Sequence, residues 1–320
     1  MDSKCDSTFG NGLPNVIYIM GTGRSGSTVL EIMLANNRGA FGAGEAFNLL
    51  MDGFIHDKEC SCGYAFSECD VWSKVKANVG LSESECRRLA EKSGKLEQHK
   101  GFWRQIFGRL RKKDKVECVS LNLALLRHIK RAANAEVVID SSKYAGRALL
   151  LTRAMPGKVR VIWLTRSPRG ILASYAKRDG GEQPSMPPIW VLAYVAFVTL
   201  CAAIARKKLG DQCIHVRYED LLADPVGQID RIEKWSECDL SGTRERLVED
   251  DVFEVGHVVT SNQLRKQGKI TLKRQSGRGD LTSLSSRVAA CVLGLWYRLL
   301  GVGSSSIRAS QSQAHGNVLK

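Results

Sequence analysis

Residues 21–28 read Gly-Thr-Gly-Arg-Ser-Gly-Ser-Thr, set between the apolar run Val16 to Met20 and a helical pattern that opens at Val29. Strand, glycine-rich loop and helix in that order make a cradle for phosphate. Glycines let backbone N–H groups approach an anion, and the helix N-terminus adds partial positive charge. The segment departs in one residue type from the nucleotide loop G-x-x-x-x-G-K-[ST]: Ser27 stands where the lysine belongs, and Arg24 is the nearest cation. A phosphate-bearing ligand is expected, while triphosphate chemistry lacks the lysine that reaches the β- and γ-phosphates.

Two further turns carry groups of matching chemistry. Arg166 ends the apolar run Val159 to Leu164 and is followed by Ser167 as a helix N-cap, Pro168 at the first helical position, and Ser174 two turns on. The planar fork of an arginine and the rotatable hydroxyl of a serine can hold one phosphate from two sides; a surface arginine and a helix-interior serine are the other reading. Asp140-Ser141-Ser142-Lys143 follows Val137 to Ile139 and sets a lysine at another strand end. A lysine in the first turn of a helix would oppose the helix dipole, so Lys143 there points to an anion nearby; an exposed lysine on a capped helix is the alternative.

The elements that must position these groups follow from hydrophobic patterning. Apolar runs at Val16 to Met20, Val137 to Ile139, Val159 to Leu164 and Cys213 to Val216 alternate with polar turns and amphipathic segments. That alternation predicts an α/β fold with a central, mainly parallel sheet flanked by helices in three layers, its ligands gathered at the carboxyl ends of the strands. Residues 52–135 interrupt the rhythm and read as a helical, cysteine-containing insertion. Within it the basic stretch Lys92 to Lys115 places Phe102, Ile106 and Leu110 four residues apart. That stretch suits a solvated helix face, a cap over an acceptor or a peripheral membrane contact. The expected organisation is a flexible N-terminus over 1–14, one domain over 15–302 and a flexible tail over 303–320.

A net charge of +14 over 320 residues favours anionic ligands of any kind and does not choose among phosphate, sulfate, nucleic acid and lipid. The first thirty residues show no basic segment leading into an apolar one, so the ten cysteines are expected as reduced thiols in a cytoplasmic protein. Ile189 to Ala205 carries no charge for 17 residues and is expected as a buried core helix, with a membrane span as the alternative. Cys60, Cys62 and Cys69 lack a strong zinc spacing and read as buried or weakly reactive thiols. Structural zinc, completed by His56, Asp70 or Cys86, is the other reading.

On the residues quoted, the chain resembles the sulfotransferases that use 3′-phosphoadenosine 5′-phosphosulfate. The loop GTGRSGST is similar to the family's 5′-phosphosulfate loop, and VRVIWLTRSPRGILAS (159–174) to its 3′-phosphate strand and helix. The resemblance implies that Gly23, Arg24, Ser25, Gly26, Ser27 and Thr28 hold the 5′ side of the donor, and that Arg166 and Ser174 hold the 3′-phosphate. Val216 to Leu221 is similar to the family's Arg-Tyr-Glu-Asp-Leu element and adds Tyr218. His257 to Arg265 is similar to the H-x-x-x-G-N-x-x-R of carbohydrate-type and bacterial members, with Ser261 in the glycine position. Arg265 to Gly268 is similar to the Arg-Lys-Gly loop that closes on the 3′-phosphate, apart from an added glutamine, and gives Arg265 a donor-binding role.

The Gly44-Glu45 pair matches the Gly-Glu of tyrosylprotein and many bacterial members, which makes Glu45 the base for the acceptor hydroxyl. Lys143, assisted by Ser142, and Arg24 then face the transferring group. None of the six histidines stands at the position of the aryl sulfotransferase base; His257 comes nearest, with packing beside the late loop as its other reading. The implied reaction needs no metal and releases 3′,5′-adenosine bisphosphate. Its partner is a hydroxyl-bearing acceptor, on a carbohydrate or glycolipid ahead of a peptide tyrosine, and not nucleic acid. Two rivals stay open: a kinase using the same loop with magnesium, for which Asp140 is the sole candidate metal ligand at a strand end, and a basic non-catalytic binder of nucleic acid or anionic membrane.

Overall fold

Val16 to Met20 are apolar at every position, as a strand covered on both faces requires. The structure is a computed structural model that describes residues 12–177, 185–260, 263–272 and 281–302. In it this run is β1 (Asn15–Gly21), the centre of a five-stranded parallel sheet with β2 (Ala40–Gly42), β3 (Val137–Lys143), β4 (Val159–Thr165) and β5 (Cys213–Arg217). The spatial order is β2-β3-β1-β4-β5, every pairing parallel. The strand order reverses beside β1, and in such sheets the crevice at the carboxyl end of that strand takes the ligand. The short strands β6 (Phe253–Glu254) and β7 (Lys269–Ile270) pair antiparallel apart from this sheet.

The helices are α1 (Ser27–Ala35), α2 (Trp72–Val79), α3 (Glu83–Glu97), α4 (His99–Ile106), α5 (Lys112–Ala133) and α6 (Ala145–Ala154). They continue with α7 (Pro168–Ala176), α8 (Pro188–Leu209), α9 (Tyr218–Ala223), α10 (Pro225–Ser236), α11 (Ser241–Val248) and α12 (Leu284–Leu299). One face of β1 puts Val16, Tyr18 and Met20 into a core shared with α6, α7, α8, α12 and the helices between β2 and β3. The other puts Ile17 and Ile19 against α1, α9, α10 and α11. The result is the three-layer α/β arrangement that the alternating pattern predicts.

The basic aromatic stretch is not one helix. Gly108, at φ +66°, follows the end of α4, so Phe102 is buried within α4 whereas Leu110 lies beyond it, half-buried. The charge-free run lies in α8, which is long and apolar enough to cross a membrane. Here Val191, Val195, Val198, Ala202, Ala205 and Leu209 are buried along one stripe, and α8 packs on α6 and α12. Positions 1–11, Ser261, Asn262 and 303–320, which include most of the two expected tails and the departure from the late motif, lie outside the described residues.

Candidate active site

At the carboxyl end of β1 the chain turns through Thr22 to Gly26 into α1. Arg24 and Gly26 both take left-handed backbone conformations, at φ +62° and +95°. In such a turn successive N–H groups converge on one concavity. Gly26 also has a steric reason: a Cβ there would lie 2.2 Å from the Tyr218 ring. Ser25, Ser27 and Thr28 are buried, and the Ser25 hydroxyl has no hydrogen-bond partner among the described residues. A buried hydroxyl at the mouth of a glycine loop costs free energy unless a ligand satisfies it.

Arg166 leaves the end of β4 and lies across this loop. Its Nη1 donates to the Arg24 carbonyl at 3.1 Å, and its guanidinium sits 4.8 Å from the centroid of the Tyr218 ring. Ser167 caps α7, its hydroxyl accepting from Gly170 N at 3.2 Å, and Ser167 N in turn donates to Glu219 at 2.8 Å. The turn that carries Arg166 is thus pinned to the Tyr218 turn. Ser174 is half-buried on α7, next to Tyr175. On the far side of the loop Gly23 N donates to the Tyr194 hydroxyl at 3.0 Å, and Arg24 lies 5.9 Å from the Tyr175 ring. A cleft of about 500 Å³ opens beside Tyr218, walled by Val29, Leu222, Leu264, Ile270 and Leu272.

Glu45 and Lys143 meet as an ion pair, each side chain less than a fifth exposed. Three local features bring them together. β3 spends three residues where β1 spends two, so Tyr18 faces Asp140 but Met20 faces Lys143; this bulge re-aims the strand end. Lys143 itself sits at φ +72°. On the other partner, Glu45 N donates to the Val259 carbonyl at 3.2 Å and its Oε2 accepts from Asn48 at 3.1 Å. Beneath them Glu31 is fully buried; it accepts from Gly44 N and, at 2.6 Å, from the Ser141 hydroxyl. Burial pushes its carboxyl up to about 8 despite those two donors.

An aromatic wall joins this pair to the loop. Phe47 meets Tyr144 edge-on at 4.9 Å, His99 lies 5.1 Å from Tyr144 and 6.4 Å from Tyr194, and Tyr194 carries the hydroxyl on Gly23. Burial pushes Tyr144 up to about 12 and His99 down to about 4, so the imidazole is neutral at pH 7.

A family model described as "Sulfotransferase family" matches residues 14–242. The chain belongs to the sulfotransferase family. No curated protein matches it. Among solved structures it is similar to the sulfotransferase domain of the Synechococcus PCC 7002 olefin synthase, at 17% identity and a TM-score of 0.49 over 89% of this chain and 96% of that one. It is also similar to the sulfotransferase domain of the curacin biosynthetic pathway, at 16% identity and a TM-score of 0.49 over 88% and 98%. Sulfotransferase STF9 of Mycobacterium avium follows at 12% identity and a TM-score of 0.43, over 74% and 67%.

Not every residue singled out in the sequence faces the loop of this sulfotransferase. Arg265 is buried and turned to the cysteine segment, where its Nη1 donates to the Glu59 carbonyl at 2.8 Å. His257 sits among Cys60, Cys62 and Cys69. Asp140 is fully buried, paired with Arg147 at 2.8 Å and accepting from Ser142 N at 2.9 Å. That pairing leaves it poorly suited to hold magnesium at a loop. Conversely Glu31, Tyr175 and Tyr194 shape the site although no motif flags them, as does Glu219, to which the motif around Tyr218 gave no role. Glu219 alone had a signal, as the glutamate of the Arg-Tyr-Glu-Asp-Leu element.

Proposed function

We propose that this sulfotransferase moves a sulfuryl group from 3′-phosphoadenosine 5′-phosphosulfate to an acceptor hydroxyl, acting in the cytoplasm. The observation that carries the reading is Arg166 lying on the Arg24 carbonyl and over the Tyr218 ring, which sets a second cation beside a phosphate loop that lacks its lysine. A donor with phosphate at both ends of one adenosine uses both cations; ATP, with no 3′-phosphate, uses one. The chain's residues fit such a donor. The unsatisfied Ser25 hydroxyl and the left-handed loop suit its 5′ side, Arg166 and Ser174 its 3′-phosphate, and the cleft beside Tyr218 its adenine.

When bound, that donor supplies the sulfuryl group and departs as 3′,5′-adenosine bisphosphate. The Glu45 carboxylate takes the proton of the acceptor hydroxyl. Lys143 Nζ and the Arg24 guanidinium hold positive charge where oxygen anions develop. The Lys143–Glu45 pair keeps base and cation adjacent, and the bulge in β3 fixes their approach. The wall of Phe47, Tyr144, His99 and Tyr194 supports an acceptor that presents a flat C–H face with hydroxyls at its edge, as a sugar ring does. Nine cysteines among the described residues are free thiols, which supports the cytoplasmic setting.

The test is a transfer assay with labelled donor against a panel of sugar, glycolipid and phenol acceptors, for wild type and Glu45→Gln. Loss of general-base catalysis lowers kcat by about 10²- to 10⁴-fold with donor affinity unchanged. Turnover within a factor of about three of wild type would remove Glu45 as the base.

A further inference from the structure

The cysteine segment that the transfer reaction does not use acquires a fourth donor from a distant part of the chain. Cys60, Cys62 and Cys69 lie in one loop before α2, and His257 follows 188 residues after Cys69. Cys69 Sγ is 3.8 Å from Cys60 Sγ and 3.2 Å from His257 Nδ1, and the four donor atoms all lie within 4.8 Å of one another. Four ligands about a tetrahedral zinc ion, at about 2.3 Å for sulfur and about 2.0 Å for nitrogen, stand about 3.5 to 3.8 Å apart. Two of these separations already lie near that range, and the widest need to close by only about 1 Å.

Cys60 N donates to Tyr64 O at 2.8 Å and Gly63 N to Cys60 O at 3.0 Å, which closes the loop tightly enough for Cys60 and Cys62 to share one centre. Cys60 and Cys69 are buried, while Cys62 and His257 are half-buried and leave an entry path.

We propose that Cys60, Cys62, Cys69 and His257 bind one zinc ion. Four protein ligands leave no open position, so the site is structural rather than catalytic. Binding releases three thiol protons and leaves His257 neutral, coordinating through Nδ1. The fourth ligand is not His56, Asp70 or Cys86, the candidates near the cysteines in sequence.

The ion would fasten two segments already in contact. Ser61 Oγ donates to Gly256 O at 2.7 Å and accepts from Val258 N at 2.6 Å, and Trp72 Nε1 donates to His257 O at 2.9 Å. Two residues past His257, Val259 forms the bridge to Gly44 that orients Glu45. The site thus clamps the 52–135 insertion to the segment that bridges Gly44, and it stands independently of the reaction proposed above.

The test is elemental analysis of the full chain, purified reduced and without a histidine tag. One zinc per chain is expected, released by a mercurial that titrates thiols. Cobalt-exchanged protein should show thiolate-to-cobalt charge transfer in the near ultraviolet and strong tetrahedral bands in the visible. Cys69→Ser and His257→Gln should lose the metal, and Cys86→Ser, outside the cluster, should keep it. If the variants do not fold, the wild-type metal content and cobalt spectrum decide. Wild-type protein from zinc-supplemented cells that carries no stoichiometric zinc and gives no cobalt bands overturns the proposal, as does a Cys60–Cys69 disulfide found by mass spectrometry.

Discussion

Glu31 sits under the Glu45–Lys143 pair, and its own titration makes the stability of the fold depend on pH. Its carboxyl is raised from an ordinary value near 4.5 to about 8, chiefly by burial. Between those limits the folded chain keeps a proton that the unfolded chain has lost. Stability is therefore fully present below about 4.5 and declines as pH rises toward about 8. Urea melts across pH 5 to 8 are expected to show that decline, and Glu31→Gln, neutral at every pH, should flatten it. The two cations of the site share another feature: Arg24 and Lys143 both occupy left-handed backbone positions, which cost about 1–3 kcal/mol each in a non-glycine residue. Both residues stand at or just past the carboxyl ends of their strands, β1 and β3.

At the scale of elements, the parallel bridge between Gly44 and Val259 decides where Glu45 points. Gly44 is at φ +70°, and a Cβ there would lie 2.1 Å from the Val259 carbonyl, an atom that cannot yield without parting the bridge. Gly44→Ala is expected to destabilise the fold by more than about 1 kcal/mol in urea unfolding and to lower kcat more than donor affinity. Sequence patterning found β1, β3, β4 and β5 because each is a run of buried apolar residues. It missed β2, whose three residues are too few to set a period, and it ended the third strand at Ile139 because the bulge carries Asp140, Ser141 and Ser142. The loop at 21–28 and the cap at Ser167 were legible because their chemistry is local. Tyr194, Glu31 and the place of His257 among the cysteines were not: each depends on a partner in a distant element, Gly23, Ser141 and Cys69 respectively, which no local spacing encodes.

Across the whole molecule, the insertion is joined to the sheet by a buried charged network as well as by apolar packing. Arg147 on α6 bonds Asp140 on β3 at 2.8 Å, pairs with Glu97 at the end of α3 and donates to Asn122 on α5 at 2.6 Å. Arg147 is almost fully buried, and Asp140 and Glu97 are wholly so. Arg147→Met strands both carboxylates and is expected to cost about 3–5 kcal/mol in equilibrium unfolding, the range for breaking a buried pair from one side. An unchanged midpoint would mean that the insertion is held by its apolar contacts alone.

The proposed reaction requires Arg24 and Arg166 to grip the two ends of one doubly phosphorylated adenosine. Titration calorimetry of wild type and Arg166→Ala with 3′,5′-adenosine bisphosphate, adenosine monophosphate and ATP tests this most directly. The bisphosphate is expected to bind wild type about ten- to a hundredfold tighter than the monophosphate, as one added charge-assisted contact provides, and Arg166→Ala to erase that preference. Equal affinity for the two nucleotides in wild type, or a preference that survives in Arg166→Ala, would contradict it.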